Sequence, residues 1–320
     1  MELAAKFMQD ALSQFPPECP VQAKELSLTV LASDGHSNSK IQLFTVEAGH
    51  RENPMIVLIH GFPDNWYCWK NLIPGLVKAG YFVVAPNLRG YAYSSKPKSR
   101  KDYGMNSLVG DLVGLLDVYG EKKAIFIGHD WGGVILWRLT MDYPERVMKP
   151  IFLCAPHPYG LVRQWKKSWK QRLMSWYVLF FQLPWLPEIR LTRNVHRKVK
   201  AIMGKTVREK AHLTPFEINF YGAMWTQDRA MKTMIHYYRA LFCPRAKSFQ
   251  YKMIGQPALV IMAENDMALT PEINEGLEQD WVPKMQRVTV PHCSHWIQRE
   301  APEEILEHIL HFIGQGVVVP

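Results

Sequence analysis

The sequence lacks the features that would indicate a membrane-spanning or disulfide-stabilised protein. Its 5 cysteines are scattered along the chain and include no CxxC pair, which is typical of free thiols in a reducing compartment. No uncharged stretch approaches the roughly 18–20 residues that a membrane-spanning helix needs. The start of the chain carries charges every few positions in place of the apolar core of a secretory signal. From these absences we expect a cytoplasmic protein.

Internal repeats are also absent, and the composition is that of a globular chain. The protein has 320 residues, of which 48% are hydrophobic, enough for one large domain or two smaller ones. Lys and Arg (38) outnumber Asp and Glu (29), which gives a net charge of +9. Such a charge can attract anions or acidic lipid, but it defines neither a fold nor a reaction. No nucleic-acid-binding motif accompanies it, so we expect no nucleic-acid partner.

Apolar runs alternate with helical patterns towards both ends of the chain. Runs such as PMIVLIHG, YFVVAPNLRG and KAIFIGHD indicate strands buried on both faces, and NSLVGDLVGLLDVYG has helical spacing. This alternation predicts an α/β fold with a mostly parallel, doubly wound sheet. The middle of the chain is instead aromatic, basic and helical. We therefore predict a core of residues 1–157 and 246–320, a helical cap inserted at residues 158–245, and a further helix near residues 271–281.

One turn carries the pattern of a nucleophile. In IFIGHDWGG, residues 125–133, an apolar strand ends in a glycine-rich bend and a helical segment follows at once. This form resembles the nucleophile elbow of the α/β-hydrolase fold, in which small residues on either side let the strand and the helix pass closely. The central residue here is Asp130, between Gly128 and Gly132. A carboxylate at this position displaces a leaving group at an sp3 carbon and leaves an ester that water must cleave.

Cleavage of such an ester needs a histidine that activates water and an acid that orients the histidine. The chain supplies both in the order typical of this fold: Asp266 follows a predicted strand in AENDMAL, and His295 precedes the last helix in PHCSHWIQ. Glu264 is an alternative acid and His292 an alternative base. The position of Asp266 in the loop and the register of His295 before the helix favour the first pair.

The remaining candidates lie in the same turns. Phe62, in LIHGFPDNW after the third predicted strand, and Trp131, directly after the nucleophile, are expected to supply the two backbone N–H groups of an oxyanion hole. We name Pro63, Trp131 and Trp296 as walls of the substrate pocket. Three other histidines have no step to perform and are expected to be structural: His60, His129 and His157.

These motifs resemble those of the epoxide hydrolases of the α/β-hydrolase superfamily, and the resemblance covers nearly the whole chain. The motifs that carry it are HGFPDNWYCW (60–69), APNLRGYAYSSKP (85–97), GHDWGG (128–133), FFQLPWLPE (180–188), HYYRALF (236–242), AENDMAL (263–269) and HCSHW (292–296). The wording of the cap is most similar to animal epoxide hydrolases 3 and 4, although we expect no N-terminal membrane anchor here.

The resemblance implies an enzyme that adds water to a small-molecule epoxide, including a lipid or xenobiotic epoxide, to give a vicinal diol. It implies two cap tyrosines that hydrogen-bond the epoxide oxygen, and these match Tyr177 in WYVLFFQ and Tyr238 in YYRALF. Phenolic donors suit this step because ring opening builds an alkoxide, a poor leaving group. Tyr237 is the alternative to Tyr238. No metal and no organic cofactor is expected.

Two other functions remain open from the sequence. Haloalkane and haloacid dehalogenases share the fold and the aspartate nucleophile, and Trp131 could bind halide. Haloalkane dehalogenases usually place asparagine where this chain has Phe62, and they lack the paired cap tyrosines. Fluoroacetate dehalogenases place arginine where it has Trp131. A non-catalytic scaffold of the same fold is the second alternative. The presence of Asp130, Asp266 and His295 together argues against it.

The cap sequence RQWKKSWKQRLMSWYVLFFQLPW, residues 163–185, interleaves basic with large apolar residues. This pattern fits two interpretations. The segment could contact a membrane surface, with its basic residues on acidic lipid. The interpretation that we favour from the sequence is that the apolar residues form the cap core and the lysines a solvated face. The oligomeric state cannot be deduced from these patterns.

Overall fold

A computed structural model describes residues 2–31, 38–208, 212–243 and 250–314. Its centre is an eight-stranded sheet in the order β1-β2-β4-β3-β5-β6-β7-β8. The strands are β1 (Val21–Leu31), β2 (Asn38–Ala48), β3 (Met55–Ile59), β4 (Phe82–Pro86), β5 (Ala124–His129), β6 (Val147–Leu153), β7 (Ala258–Ala263) and β8 (Met285–Val290). The α-helices are α1 (Glu2–Leu12), α2 (Ile73–Lys78), α3 (Met105–Tyr119), α4 (Trp131–Asp142), α5 (Pro158–Lys167), α6 (Trp169–Met174), α7 (Trp176–Phe180), α8 (Leu186–Thr192), α9 (Val195–Met203), α10 (Pro215–Trp225), α11 (Ala230–Ala240), α12 (Leu277–Asp280), α13 (Ile297–Glu300) and α14 (Pro302–Gly314).

The sheet is parallel except at one edge, which confirms the predicted α/β class. From β4 to β8 every neighbouring pair is parallel, whereas β1 pairs with β2, and β2 with β4, in antiparallel fashion. Each residue of β3, β4, β5 and β7 is buried, because helices cover both faces of a parallel sheet. The carboxyl ends of β3, β5, β6 and β7 therefore lie side by side, and the loops that follow them meet at one edge.

Helices α5 to α11 follow one another between β6 and β7 in the described part of the chain. They occupy the segment predicted as a cap. They contact the core at specific points: the Tyr221 hydroxyl donates to Asp64 at 2.9 Å, and the Trp225 indole donates to the Pro63 carbonyl at 2.7 Å. The predicted boundary at residues 245 and 246 lies outside the described residues.

One predicted helix is wrong. Residues 271–281 form a 3-10 turn at Pro271–Asn274 and the single turn of α12, separated by Gly276 with a φ of 70°. This left-handed backbone conformation, which favours glycine, cannot continue a right-handed helix.

Among the described residues, no helix combines the length and the apolar character that a membrane span requires.

Candidate active site

Asp130 occupies a strained turn between β5 and α4. Its backbone has a φ of 50° and a ψ of −120°, a conformation that a residue with a side chain rarely adopts. The glycines around it are required by close packing. A Cβ on Gly128 would come within 2.7 Å of the Gly132 backbone, and one on Gly132 would overlap the Ile59 carbonyl oxygen. The strand and the helix therefore pass closely enough to project Asp130 from the edge of the sheet.

The turn after β3 holds the Asp130 carboxylate from the other side. The Phe62 backbone N–H donates to Asp130 Oδ1 at 2.7 Å, and the Trp131 N–H also donates to this carboxylate. Gly61 permits the approach, since a Cβ there would overlap the Asp130 side chain. The backbone N–H groups of Phe62 and Trp131, both named from the sequence, thus donate to the same carboxylate.

His295 lies between the two acids. Its Nδ1 is 2.8 Å from Asp266 Oδ2, and its Nε2 is 3.6 Å from Asp130 Oδ2. Asp266 Oδ1 accepts the backbone N–H groups of Ala268 at 2.7 Å and Leu269 at 3.1 Å. These bonds fix the carboxylate, so that Asp266 can hold the imidazole in one orientation.

The alternatives named from the sequence lie elsewhere. Glu264 is exposed, and its Oε2 accepts the backbone N–H of His292 at 2.9 Å. Neither of these side chains takes part in the contacts between Asp130, His295 and Asp266. The geometry accordingly brings together Asp130, Asp266 and His295 and leaves Glu264 and His292 outside.

Charge and burial act against each other at this cluster. Burial disfavours the His295 imidazolium, but the carboxylates of Asp266, Asp130 and Asp64 outweigh it and raise the pKa of His295 to about 9. Burial raises the pKa of Asp130, while His295 and the N–H groups of Phe62 and Trp131 oppose that rise. The charges of Asp130 and His295 therefore stabilise each other against the cost of burial.

The two tyrosines named from the sequence face this cluster from the cap. The Tyr238 ring lies 5.1 Å from the Phe62 ring, 5.1 Å from the Trp131 ring and 5.7 Å from the Tyr177 ring. Tyr237, on the neighbouring position of α11, instead donates its hydroxyl to the Arg89 carbonyl at 2.8 Å. The Tyr237 hydroxyl is therefore bonded to the backbone of the core, whereas the Tyr238 ring packs against Phe62 and Trp131, the two residues whose N–H groups donate to Asp130.

Burial and the nearby acids keep both tyrosines protonated. Burial, with the charge of Asp130, raises the pKa of Tyr177. Burial, with Tyr177 and Asp130, raises the pKa of Tyr238 well above its usual value, and the Trp131 indole opposes this rise. At neutral pH both phenols can therefore donate a hydrogen bond or a proton to an oxygen placed between them and Asp130.

The two other pocket residues named from the sequence are buried beside these groups. Pro63 accepts the Trp225 indole N–H and so joins the turn after β3 to the cap. Trp296 is 2% exposed, and its ring lies 5.1 Å from the His295 ring and 5.7 Å from the His129 ring. Trp296 therefore packs behind His295, on the side of His129.

Two further polar residues at the site carry no sequence prediction. Asp64 is buried, and burial raises its pKa to about 6 even though Asn65, Arg299 and Tyr221 oppose the shift. The buried Tyr91 hydroxyl has no hydrogen-bond partner in the described residues. Its ring packs on the rings of His60 and Tyr237. Asp64 lies in HGFPDNWYCW and Tyr91 in APNLRGYAYSSKP, but only the folded structure places them near Asp130.

Among the described residues, one group of side chains could hold a metal ion: Cys154, Asp266 and His295, whose ligand atoms lie within 4.8 Å of one another. Coordination would take His295 from its bond with Asp266. Burial also raises the pKa of Cys154 well above its usual value, and a metal binds the thiolate rather than the thiol. The three side chains are therefore better suited to orienting His295 than to binding a metal ion.

The outer surface of the cap corrects the interpretation that we favoured from the sequence. Trp165 is 49% exposed, Trp169 69%, Trp176 61% and Trp185 76%. Only part of the segment, including Gln171 and Phe181, is buried against the rest of the protein. The interpretation of the apolar residues as cap core is therefore wrong for these four tryptophans.

The fold and this arrangement of an aspartate elbow, a histidine and a second acid define a member of the α/β-hydrolase class. A family model described as the alpha/beta hydrolase fold matches residues 54–302. The chain belongs to this family.

Similar proteins include several named epoxide hydrolases. The chain is 36% identical over 274 residues to the AB hydrolase superfamily protein YfhM of Bacillus subtilis, covering 85% of this chain and 94% of that protein. It is 33% identical over 283 residues to Epoxide hydrolase 4 of Homo sapiens, covering 87% and 77%. Among solved structures, an epoxide hydrolase from Bacillus megaterium with an inhibitor superposes with a TM-score of 0.77 at 25% identity, covering 90% of this chain and 99% of that one. Epoxide Hydrolase A from Mycobacterium thermoresistibile gives 0.75 at 28% identity, covering 92% and 99%.

Proposed function

We propose that this protein is an epoxide hydrolase, which adds water to a small-molecule epoxide to give a vicinal diol through an ester on Asp130. The observation that carries the proposal is the position of Tyr177 and Tyr238, which face Asp130 from the cap. A nucleophile opposite two phenolic donors matches a ring in which carbon is attacked while oxygen must be protonated. The similarity to proteins named epoxide hydrolases, in sequence and in structure, supports the same conclusion.

In the first step the Asp130 carboxylate attacks a ring carbon. Oδ1 is held by the Phe62 N–H, so Oδ2 is the oxygen that forms the new bond. The bond between that carbon and the ring oxygen breaks, and the oxygen takes a proton from Tyr177 or Tyr238. The raised pKa of both phenols keeps them protonated before the attack. The product of this step is a hydroxyalkyl ester of Asp130.

In the second step water cleaves the ester. Esterification removes the negative charge of Asp130, which is one of the charges that raise the pKa of His295. The imidazolium then gives up its proton, which restores the phenol that lost one in the first step, and neutral His295 becomes a base for water. The resulting hydroxide attacks the carbonyl carbon of the ester, and the N–H groups of Phe62 and Trp131 stabilise the oxyanion. When the bond from this carbon to the alkyl oxygen breaks, that oxygen takes the proton that His295 removed from water, and the diol is released. The Asp130 carboxylic acid then returns its proton to His295, which Asp266 holds throughout.

Three further parts of the proposal concern the surroundings of the enzyme. No metal or organic cofactor enters either step. All 5 cysteines are free thiols and four of them are buried, which supports a reducing, cytoplasmic location. The exposed tryptophans of the cap support a contact with a membrane surface.

The test is one turnover with limiting styrene oxide in 18O water, followed by mass spectrometry of the protein. We expect the label in the carboxylate of Asp130 and an unlabelled first diol, because water attacks the ester carbonyl and not the epoxide. The change Asp130→Asn should abolish diol formation. The matched control is Asp228→Asn, whose side chain is 85% exposed and which should turn over like the wild type. Label in the first diol with none in the protein would refute the ester, and halide release from haloalkanes without diol formation would establish a dehalogenase.

A further inference from the structure

Ten large apolar side chains are exposed within a short segment of the cap. From Val162 to Leu179 each lies three or four positions from the next, across the consecutive helices α5, α6 and α7, and the others follow in and before α8. We call the ten the aromatic face: Val162, Trp165, Trp169, Leu173, Trp176, Leu179, Leu183, Trp185, Leu186 and Ile189, each between 45% and 76% exposed. Large apolar side chains exposed in such number within one short segment are typical of a surface that contacts a partner.

The charge around the aromatic face has one sign. Six exposed basic residues interleave with it: Lys166, Lys167, Lys170, Arg172, Arg190 and Arg193. None of the six forms an ion pair within the part of the chain that the structure describes. The single acidic residue between positions 162 and 193 is Glu188, which forms an ion pair with Arg239 at 2.6 Å. The face therefore presents uncompensated positive charge together with tryptophan.

We propose that the aromatic face docks on an anionic lipid bilayer. Tryptophan prefers the boundary between head groups and acyl chains, and lysine and arginine extend from an inserted apolar surface to phosphate and carboxylate groups. A second copy of this chain fits the same face poorly. In a symmetric dimer each surface patch meets itself, so the six cations of one copy would oppose the six of the other.

The face lies at the site and not on a remote surface. Helix α7 carries Trp176 and Leu179 on the outside and Tyr177 towards Tyr238. Gln171, buried in α6, donates to the Ala268 carbonyl at 2.9 Å, in the loop that presents Asp266. Docking would therefore place the outer side of α7, the helix whose inner side carries Tyr177, against the bilayer. An epoxide dissolved in the lipid would reach the site from there, a consequence that rests on the proposed function.

The experiment measures binding and turnover separately with the full chain. Binding is measured by co-sedimentation with vesicles of phosphatidylcholine, with and without phosphatidylserine. The basic residues are tested by the triple change Lys166→Glu, Lys167→Glu and Lys170→Glu. Its matched control is Lys122→Glu with Lys123→Glu. These two exposed lysines precede β5, at the amino ends of the parallel strands, whereas the site lies at their carboxyl ends. The tryptophans are tested by Trp169→Ser with Trp185→Ser, against Met253→Ser, a side chain that is 66% exposed.

We expect binding to the vesicles that contain phosphatidylserine and weaker binding at higher salt. The triple lysine change should weaken it by about a hundredfold or more, since three favourable basic contacts become repulsive. The tryptophan pair should also weaken it, and neither control should change it. On styrene oxide in solution the lysine and tryptophan variants should match the wild type, whereas on octadecene oxide in anionic vesicles they should be slower.

Three results would overturn the docking proposal: no vesicle binding, equal binding to neutral and anionic vesicles, or a wild-type dimer in sedimentation velocity that Trp169→Ser with Trp185→Ser converts to a monomer. Anionic-vesicle binding that depends on the lysines, without turnover of either epoxide, would instead overturn the proposed function and support the docking surface.

Discussion

The two oxygens of the Asp130 carboxylate lie in different surroundings, and this difference assigns them different parts in the reaction. Oδ1 accepts the Phe62 N–H at 2.7 Å, while Oδ2 lies 3.6 Å from His295 Nε2. In the proposed reaction, the oxygen that already accepts the Phe62 N–H becomes the carbonyl oxygen of the ester, and the other oxygen attacks the substrate. The N–H groups expected to stabilise the second step would then be in place before the first step begins.

At this scale the adjacent tyrosines of α11 offer a matched pair of variants. Tyr238→Phe removes a proton donor that faces Asp130, so ester formation should slow by about tenfold to a hundredfold while Tyr177 remains. Tyr237→Phe removes the bond to the Arg89 carbonyl, which should lower the free energy of unfolding by about 1 kcal/mol and change ester formation little. Rapid mixing with excess enzyme measures ester formation directly. The reverse order of the two effects would contradict the assignment of Tyr238.

At the scale of elements, the contact between β5 and α4 determines whether the nucleophile is presented at all. Gly132→Ala places a Cβ on the Ile59 carbonyl oxygen, and this backbone atom has no rotamer by which to move away. We expect the free energy of unfolding to fall by about 1–3 kcal/mol and ester formation to be lost, because the turn that carries Asp130 must shift.

Gly110, within α3, is the matched control, since no atom lies within 4 Å of the position that its Cβ would take. Gly110→Ala should raise the free energy of unfolding by about 0.5–1 kcal/mol, as expected when alanine replaces a mid-helix glycine. Urea denaturation of both variants makes the measurement. Equal stability of the Gly132→Ala and Gly110→Ala proteins would contradict the close packing at the elbow.

The elements that the sequence predicts are those with an unambiguous hydrophobic pattern. Strands β3, β4, β5 and β7 are continuous apolar runs, because both of their faces are buried. The edge elements α1 and β1 have no such run and carry no prediction. Exposure within the cap was predicted wrongly for a related reason: a sequence pattern does not reveal whether another layer covers an amphipathic helix.

Some residues of the candidate site can likewise be predicted from the sequence, and others become evident only in the folded structure. The order of nucleophile, acid and histidine is a property of the chain, so the sequence suffices to select the three residues that the structure brings together: Asp130, Asp266 and His295. The choice between Tyr237 and Tyr238 depends on the rotation of α11, which the sequence leaves open. Asp64 and Tyr91 become evident only through their burial, which depends on tertiary packing.

At the scale of the whole molecule, buried histidines couple folding to pH. Burial lowers the pKa of His60 to about 4, of His157 to about 3 and of His236 to about 4, and it also holds the pKa of His129 well below its usual value. His60 shows the structural cause, since its Nε2 accepts the Leu88 N–H at 3.0 Å and its Nδ1 donates to the Gly61 carbonyl. A second proton on this ring would break the bond to Leu88.

The signs of these shifts predict a maximum of stability. A histidine whose folded pKa is lowered stabilises the fold above pH 6.5, and this contribution is lost as pH falls towards its folded pKa. His295 is the opposite case: its pKa is raised to about 9, so its contribution is complete below pH 6.5 and is lost as pH rises to about 9. Asp64, with a pKa raised to about 6, opposes the acid loss, as do Asp111 and Asp130, whose pKa values burial also raises. Because four histidines lose their contribution on the acid side and one on the alkaline side, the free energy of unfolding should be greatest at about pH 7.

Urea denaturation from pH 5 to pH 9 measures the free energy of unfolding as a function of pH. One histidine makes it possible to test the acid limb, the part of this curve that falls as pH is lowered below the maximum. By pH 5 each buried histidine should cost about 2 kcal/mol of the free energy of unfolding.

His157 caps α5 by accepting the Tyr159 N–H at 3.2 Å, and asparagine can cap in its place. His157→Asn should therefore make the acid limb shallower, whatever it does to stability at neutral pH, whereas the change of the exposed His50 to Asn should leave the limb unchanged. An equally steep acid limb in the His157→Asn protein would show that this ring is not kept neutral by burial. The slope and not the midpoint is the decisive quantity, because a cavity left by the smaller side chain lowers stability equally at every pH.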